Sequence, residues 1–247
     1  MWGSLEQIQR DWDRHAETDP LWAILTHPDM KGGKWDEAAF FETGRQEIER
    51  VVQYAGALGV DLGRGTALDF GCGVGRLTRA LAARFGQVYG VDISPVMVER
   101  ARQLNRQVGN CTFVQVPDPD FATLPARDFD FIYSNITLQH IPPRHSRRYI
   151  PSLLRLLRPG GLMVFELAGE SRATPVGRLW LIVRCRLRRY LTKAEPLIEV
   201  YGLPKHRVLD LLARGGGRLI DVKENVGALP DWTCYRYAVV RRHRDGK

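Results

Sequence analysis

Cysteine is scarce and scattered, with four residues (Cys72, Cys111, Cys185 and Cys234) in a chain of 247. They form no Cys-x-x-Cys pair and no Cys/His cluster, which argues against a disulfide framework and against a zinc site; no metal ligand is assigned, and metal dependence stays open. Long apolar runs are missing too. Nowhere do 18 apolar residues follow one another, so no membrane span is expected. The opening segment MWGSLEQIQRDWDRH mixes charged and apolar residues and does not read as a signal peptide. No internal repeat and no Ser/Gly linker divides the chain. These absences suggest a cytoplasmic protein of a reducing compartment, with one core large enough to need no staple.

Positive charge is in excess. The formal net charge is +8 and the pI about 9.6. Most of the excess is Arg spread along the chain, concentrated only in residues 184–193 and the tail Arg241-Arg242-His243-Arg244. Charge alone reports solubility and encounter rather than chemistry. Nucleic acid is therefore not the expected partner, and an RNA-binding or RNA-modifying protein using the tail is kept as a rival.

Residues 1–65 read as helices and turns, punctuated by Trp12, Trp22 and Trp35 and broken by a loop at residues 29–33. Asp36 reads as the cap of a short helix to Phe41. Thr43 with Gln46 and Glu47 resembles the start of a second, longer helix with Ile48, Val51, Val52 and Ala55 on one face. From Thr66 the pattern changes to strand alternating with helix. Apolar runs at 66–70, 88–91, 112–116, 129–134 and 162–167 read as strands. Helical patterns lie between them and turns such as Pro159-Gly160-Gly161 close them. This alternation predicts βαβ units and a mostly parallel sheet covered on both faces. After the fifth strand, residues 168–204 interrupt it with an Arg-faced amphipathic helical stretch, a candidate lid. The pattern then resumes with a helix at 204–213 and strands at 219–222 and 235–240.

The strongest signal is Leu68-Asp69-Phe70-Gly71-Cys72-Gly73-Val74-Gly75, a strand running through GxGxG into a helix. Gly71 and Gly73 allow a tight reversal and a close backbone approach to a ligand. Gly75 opens a helix whose free N–H groups favour an anion. Asp92 ends the second strand 17 residues after Gly75, near the offset at which an acid reaches ribose hydroxyls. A dinucleotide site would call for GxGxxG. The spacing here is GxGxG.

The chain resembles the class I S-adenosylmethionine-dependent methyltransferases over about residues 66–240. Four stretches carry the likeness in order: ALDFGCGVGRLTRALAARF at 67–85, Tyr89-Gly90-Val91-Asp92-Ile93-Ser94, the run 128–135 ending in Ser134-Asn135, and Leu157-Arg158-Pro159-Gly160-Gly161. The resemblance implies a Rossmann-like α/β fold with a seven-stranded sheet whose last strand is antiparallel. It implies a helical N-terminal extension (1–65) on a methyltransferase domain (66–247) carrying the 168–204 insertion. It also implies S-adenosylmethionine as cofactor. By the same likeness Asp69, Gly71, Cys72, Gly73 and Gly75 surround the cofactor's amino-acid end, with Asp69 near its ammonium. Asp92 takes the ribose hydroxyls and Ile93 packs on the adenine. Ser134 and Asn135 lie beside the sulfonium. Asp118 is a weaker match near the adenine, because Pro117-Asp118-Pro119-Asp120 departs from the family's pattern.

Methyl transfer from a sulfonium needs alignment of the acceptor and, for an alcohol, a base. His140 is the candidate general base, against a packing histidine, and Glu166 is a weaker one, against a structural carboxylate. Nucleobase enzymes of the superfamily carry Asn/Asp-Pro-Pro-aromatic after strand four or a Pro-Cys nucleophile; this chain has Ser134-Asn135-Ile136-Thr137 and no Cys after Pro. Both departures point to a small-molecule acceptor. The expected reaction is O-methylation of a hydroxyl on a sugar or secondary metabolite, with N-methylation of a small amine as the alternative. Acceptor identity, regiochemistry and the choice between monomer and homodimer stay open.

Overall fold

The computed structural model describes residues 3–172, 183, 198–225, 229 and 231–243. Seven strands, β1 (Thr66–Phe70), β2 (Gln87–Asp92), β3 (Cys111–Gln115), β4 (Phe129–Ser134), β5 (Leu157–Ser171), β6 (Gly217–Asn225) and β7 (Trp232–Arg241), form one sheet in the order β3-β2-β1-β4-β5-β7-β6. β7 runs antiparallel between β5 and β6, and the other pairings are parallel. The predicted fold class is observed.

The sheet is accompanied by helices α1 (Leu5–Thr18), α2 (Pro20–Ile24), α3 (Glu37–Ala57), α4 (Arg76–Ala82), α5 (Pro95–Leu104), α6 (Pro143–Leu156) and α7 (Lys205–Arg214). Successive strand residues face opposite sides. Leu68, Ile132, Phe165 and Tyr237 pack with Ile150 and Leu153 of α6 and Val208 and Leu212 of α7. Ala67, Phe131, Tyr133 and Val164 pack on the other face against Ile48, Val51 and Ala55 of α3 and Leu77 and Leu81 of α4. Full burial of a side chain such as Ile48 or Leu81 stabilises by roughly 1.5–3 kcal/mol, so α3 is held to the sheet by its own apolar face. A third cluster of Ala16, Ala23, Phe40, Phe41, Val74 and Met97 joins the N-terminal helices to α5 and the glycine turn.

Three boundaries differ from expectation. α3 is one unbroken helix capped by Asp36, whose side chain accepts from the N–H of Ala39. Thr43 sits inside it and donates back to the carbonyl of Phe40 at 2.6 Å, so its hydroxyl serves the helix interior instead of a cap. β5 begins at Leu157, because the Pro159-Gly160-Gly161 turn is absorbed as a bulge opposite Phe129 and Phe131. It also continues to Ser171, which pairs with Trp232 of β7. The expected insertion at 168–204 therefore starts in sheet. Its Arg-rich stretch at 184–193 and tail residues 244–247 lie outside the described residues.

The tail's Arg241 is within the described residues, and its Nη1 donates to the carbonyls of Arg155 and Leu157. That charge holds a strand end. No described helix is long and apolar enough to cross a membrane.

Candidate active site

At the end of β1 the chain reverses so tightly that the N–H groups of Gly71 and Cys72 both donate to the carbonyl of Val91, at 2.8 and 3.0 Å. Gly71 and Gly73 take positive φ (+78° and +52°) and stand against other elements. A Cβ on Gly71 would lie 2.1 Å from Thr137 Cγ2, and one on Gly73 would lie 2.5 Å from Ile24 Cδ1. Asp92 reaches back from the end of β2. Its Oδ2 accepts from the Gly73 N–H and its Oδ1 from the Ser94 N–H, both at 2.9 Å. Ser94 in turn caps α5, accepting from the N–H of Met97. Burial raises the Asp92 carboxyl above its ordinary value, and these backbone donors oppose the rise.

Strand ends and N-terminal helices enclose a cleft of about 780 Å³, open solvent included. Its floor is Phe70, Gly71, Gly73 and Val91, with Asp92 and Ile93 at one side. Asn135, Ile136, Thr137 and His140 come from the segment after β4. Leu5, Ile8 and Trp12 of α1 and Ile24 of α2 close the top.

The cleft thus gathers Gly71, Gly73, Asp92, Ile93, Asn135 and His140 of the expected site residues. Others stand behind it. Asp69 is buried on the α3 face, where its Oδ2 accepts from Thr78 Oγ1 at 2.7 Å and its Oδ1 has no hydrogen-bond partner among the described residues. Burial pushes its carboxyl up to about 7. Cys72 is buried in the turn, its thiol driven well above its ordinary value by desolvation. Gly75, at φ +86°, is the N-cap of α4 and packs on Asn105 and Phe113. Ser134 donates to the carbonyl of Phe70 at 3.0 Å, tying β4 to β1. Asp118 accepts from the N–H of Asp120 and caps its own turn. Glu166 lies outside the cleft, paired at 2.5 Å with Arg236, its cross-strand neighbour on β7, and accepting from Asn225 at 2.9 Å.

Sequence reading missed Glu47 and Arg76. Glu47 Oε1 accepts from Tyr133 OH (2.9 Å) and Asn135 Nδ2 (2.6 Å), and its Oε2 accepts from Arg76 Nη2 (2.8 Å). The partners lie 29 to 88 positions away in sequence, so no local pattern announces them. Ile136, next to Asn135, has φ +60°, a left-handed conformation that is rare for a β-branched residue and that clusters at functional turns.

His140 stands where the cleft meets a smaller pocket of about 450 Å³; the two share Ile8, Trp12 and His140. Its Nδ1 lies 2.7 Å from the carbonyl oxygen of Glu199, which makes Nδ1 the protonated nitrogen and leaves Nε2 as the acceptor, 3.3 Å from Gln139 Nε2. The Trp12 ring meets the imidazole edge-on at 5.6 Å. Burial lowers the imidazole to about 4, so it is neutral at physiological pH. Of the other aromatics, Tyr201 lines the smaller pocket. Phe40 and Phe41 are core, and the Trp22 and Trp35 indoles donate to the carbonyls of His27 and Leu25.

An acid at the end of β2, a glycine turn with no room for side chains, and the open acceptors Asp69 Oδ1 and Asn135 Oδ1 fit a nucleoside joined to an amino acid. The comparisons agree. Residues 67–161 match the model of the family "Methyltransferase domain". The sarcosine/dimethylglycine N-methyltransferase of Halorhodospira halochloris is 32% identical over 177 residues, 69% of this chain and 62% of that protein. The tocopherol O-methyltransferase of Arabidopsis thaliana is 27% identical over 163 residues, 61% of this chain and 46% of that one. Among solved structures, the N-methyltransferase NodS from Bradyrhizobium japonicum WM9 in complex with S-adenosyl-L-homocysteine superposes with a TM-score of 0.63 at 18% identity, covering 96% of this chain and 99% of that one. The chain spans about half the length of the curated relatives it matches.

The sheet order and the site define a class I methyltransferase fold. Residues 67–161 are a methyltransferase domain of that class, and S-adenosylmethionine is the cofactor of that domain.

Proposed function

We propose that this chain transfers the methyl group of S-adenosylmethionine to a hydroxyl of a small acceptor at the junction of the two pockets, with His140 taking the proton. The observation that carries this reading is the imidazole itself. It is neutral, its Nδ1–H is held by the Glu199 carbonyl, and its Nε2 lone pair, met by the Gln139 amide at 3.3 Å, belongs to a residue lining both cavities; the acceptor hydroxyl would take the place of that amide. The cofactor, when bound, supplies an electrophilic methyl on its sulfonium. Asp92 would accept from the ribose hydroxyls through the lone pairs that Gly73 and Ser94 leave free, while Ile93 packs on the adenine. The backbone of Gly71 and Gly73, with Asp69 and Asn135, would hold the amino-acid end. Trp12 and Ile8 keep water from the junction.

A second reading, methylation of a small amine, is favoured by the wall of the smaller pocket. Among the described residues lining it are the carboxylates Asp11 and Glu199 and no Lys or Arg, a setting suited to a cationic acceptor. The relative from Halorhodospira halochloris is named for N-methylation. Methyl incorporation from labelled S-adenosylmethionine into separate pools of hydroxyl compounds, amines and RNA discriminates these readings. His140→Ala should lose most turnover while still binding S-adenosylhomocysteine; unchanged turnover removes His140 from the chemistry. Incorporation into RNA alone would move the reading to the nucleic-acid rival.

A further inference from the structure

A carboxylate can only accept hydrogen bonds. With Glu47 Oε1 2.6 Å from the Asn135 amide nitrogen, the Asn135 side chain must turn its NH₂ toward α3 and its carbonyl Oδ1 away from it. Asn135 lines the cleft, and that Oδ1 is shielded from solvent with no partner among the described residues. Glu47 is itself held from two further sides, by Tyr133 OH and by Arg76, whose side chain is only 4% exposed. The next strand presents a second open acceptor. Asp69 stands in register with Tyr133, two residues before Asn135, and its Oδ1 is also without a partner among the described residues. Buried acceptors without donors are costly to keep in a folded protein, and they cluster where a ligand completes them. The strained backbone of Ile136 fixes the same turn.

We propose that Glu47 is a positioning residue for the cofactor's amino-acid end: it locks the Asn135 amide so that Oδ1 accepts a hydrogen bond from the cofactor's ammonium, with Asp69 supplying the negative charge from the adjoining strand. This rests on the cofactor reading above and extends it to helix α3, which lies outside the glycine-turn motif. Glu47 makes no contact with the cofactor in this scheme and acts through Asn135. Arg76 and Tyr133 hold the Glu47 carboxylate in place.

The test compares two ligands by calorimetry. S-adenosylhomocysteine carries the amino-acid chain; 5′-methylthioadenosine keeps the nucleoside and sulfur but lacks it. Glu47→Ala and Asn135→Ala should each weaken S-adenosylhomocysteine binding by about ten- to a hundredfold, the size of one hydrogen bond to a charged group. Binding of 5′-methylthioadenosine should stay within about twofold of wild type, well inside the range of a single hydrogen bond. The double variant should bind S-adenosylhomocysteine about as well as Asn135→Ala alone, because one residue acts through the other. Glu47→Gln, which nearly preserves shape, should fall between wild type and Glu47→Ala. Equal weakening of both ligands, additive losses in the double variant, or unchanged S-adenosylhomocysteine binding in Glu47→Ala would overturn the proposal. A wild-type protein that bound neither ligand would instead overturn the cofactor reading beneath it.

Discussion

Asp92 and Gly73 are joined by a hydrogen bond of 2.9 Å from the glycine N–H to the carboxylate, so the acid of β2 and the turn after β1 form one unit. Because Ser94 N–H occupies the other oxygen, both carboxylate oxygens already accept, and each has a lone pair left. Asp92→Asn would set an amide NH₂ against one of these two donors. We expect it to weaken S-adenosylhomocysteine binding by at least about tenfold, and Asp92→Ala by more, since hydrogen bonds to a charged group contribute about 1.5–3 kcal/mol each. Unchanged affinity in both would remove Asp92 from the ribose site.

Gly71 is the least replaceable residue of the turn. Its φ of +78° disfavours any L side chain, and a Cβ would meet Thr137 Cβ at 2.7 Å as well as both of that residue's terminal atoms. Gly71→Ala should cost about 2–4 kcal/mol from strain and overpacking combined. At this chain length that lowers the melting midpoint by roughly 4–16 °C. A melt within about 2 °C of wild type, less than 1 kcal/mol by the same scaling, would show that the segment after β4 yields.

The parts of the site that were legible in sequence are those whose partners lie close along the chain or follow a known spacing. Gly71, Gly73 and Asp92 belong to a strand–turn–helix–strand unit, and the hydrogen bonds that join them fall within that unit or at the start of the next helix. The fold was readable for the same reason, because buried parallel strands and amphipathic helices each have a period. Glu47 was invisible. On its own helix it reads as an exposed acid or a capping partner of Thr43, and only the three-dimensional crossing of α3 over β4 turns it toward Tyr133 and Asn135. Glu166 shows the opposite case. A carboxylate on a central strand invites a catalytic reading, but register with Arg236 on the antiparallel β7 is a tertiary fact.

Glu166→Gln should therefore leave S-adenosylhomocysteine affinity and turnover near wild type while lowering stability. The Arg236 side chain, 29% exposed, would lose its charged partner at 2.5 Å, and Asn225 would lose a charged acceptor. For a pair partly open to solvent, a loss on the order of 2 kcal/mol is expected. Denaturant melts alongside steady-state kinetics separate the two effects. A large fall in kcat with unchanged stability would return Glu166 to the chemistry.

Asp69 makes the folded protein pH-sensitive in an uncommon direction. Its carboxyl, ordinarily near 3.8, is raised to about 7 by burial, so between these values the folded state holds a proton that the unfolded state has released. Its contribution to stability is present below about pH 4 and is lost as pH rises to 7, a swing on the order of 4 kcal/mol. Asp69→Asn should therefore be more stable than wild type above pH 7 without ligand, yet bind S-adenosylhomocysteine more weakly. Identical melts of the two proteins at pH 8 would contradict the assignment.

His140 pulls the other way over nearly the same range. Its imidazole, ordinarily near 6.5, is lowered to about 4 by burial, so between these values the unfolded chain binds a proton that the folded one refuses. That stability is fully present above pH 6.5 and is lost as pH falls toward 4, again by roughly 3 kcal/mol. The contributions of Asp69 and His140 therefore nearly cancel between pH 4 and 6.5. Removing one should expose the other. Relative to wild type, Asp69→Asn should lose stability more steeply on acidification, and His140→Phe should lose it more steeply as pH rises. Melts of the three proteins at half-unit steps from pH 4.5 to 7.5 read the effect directly. Parallel curves would mean that neither group is buried in the state assigned to it.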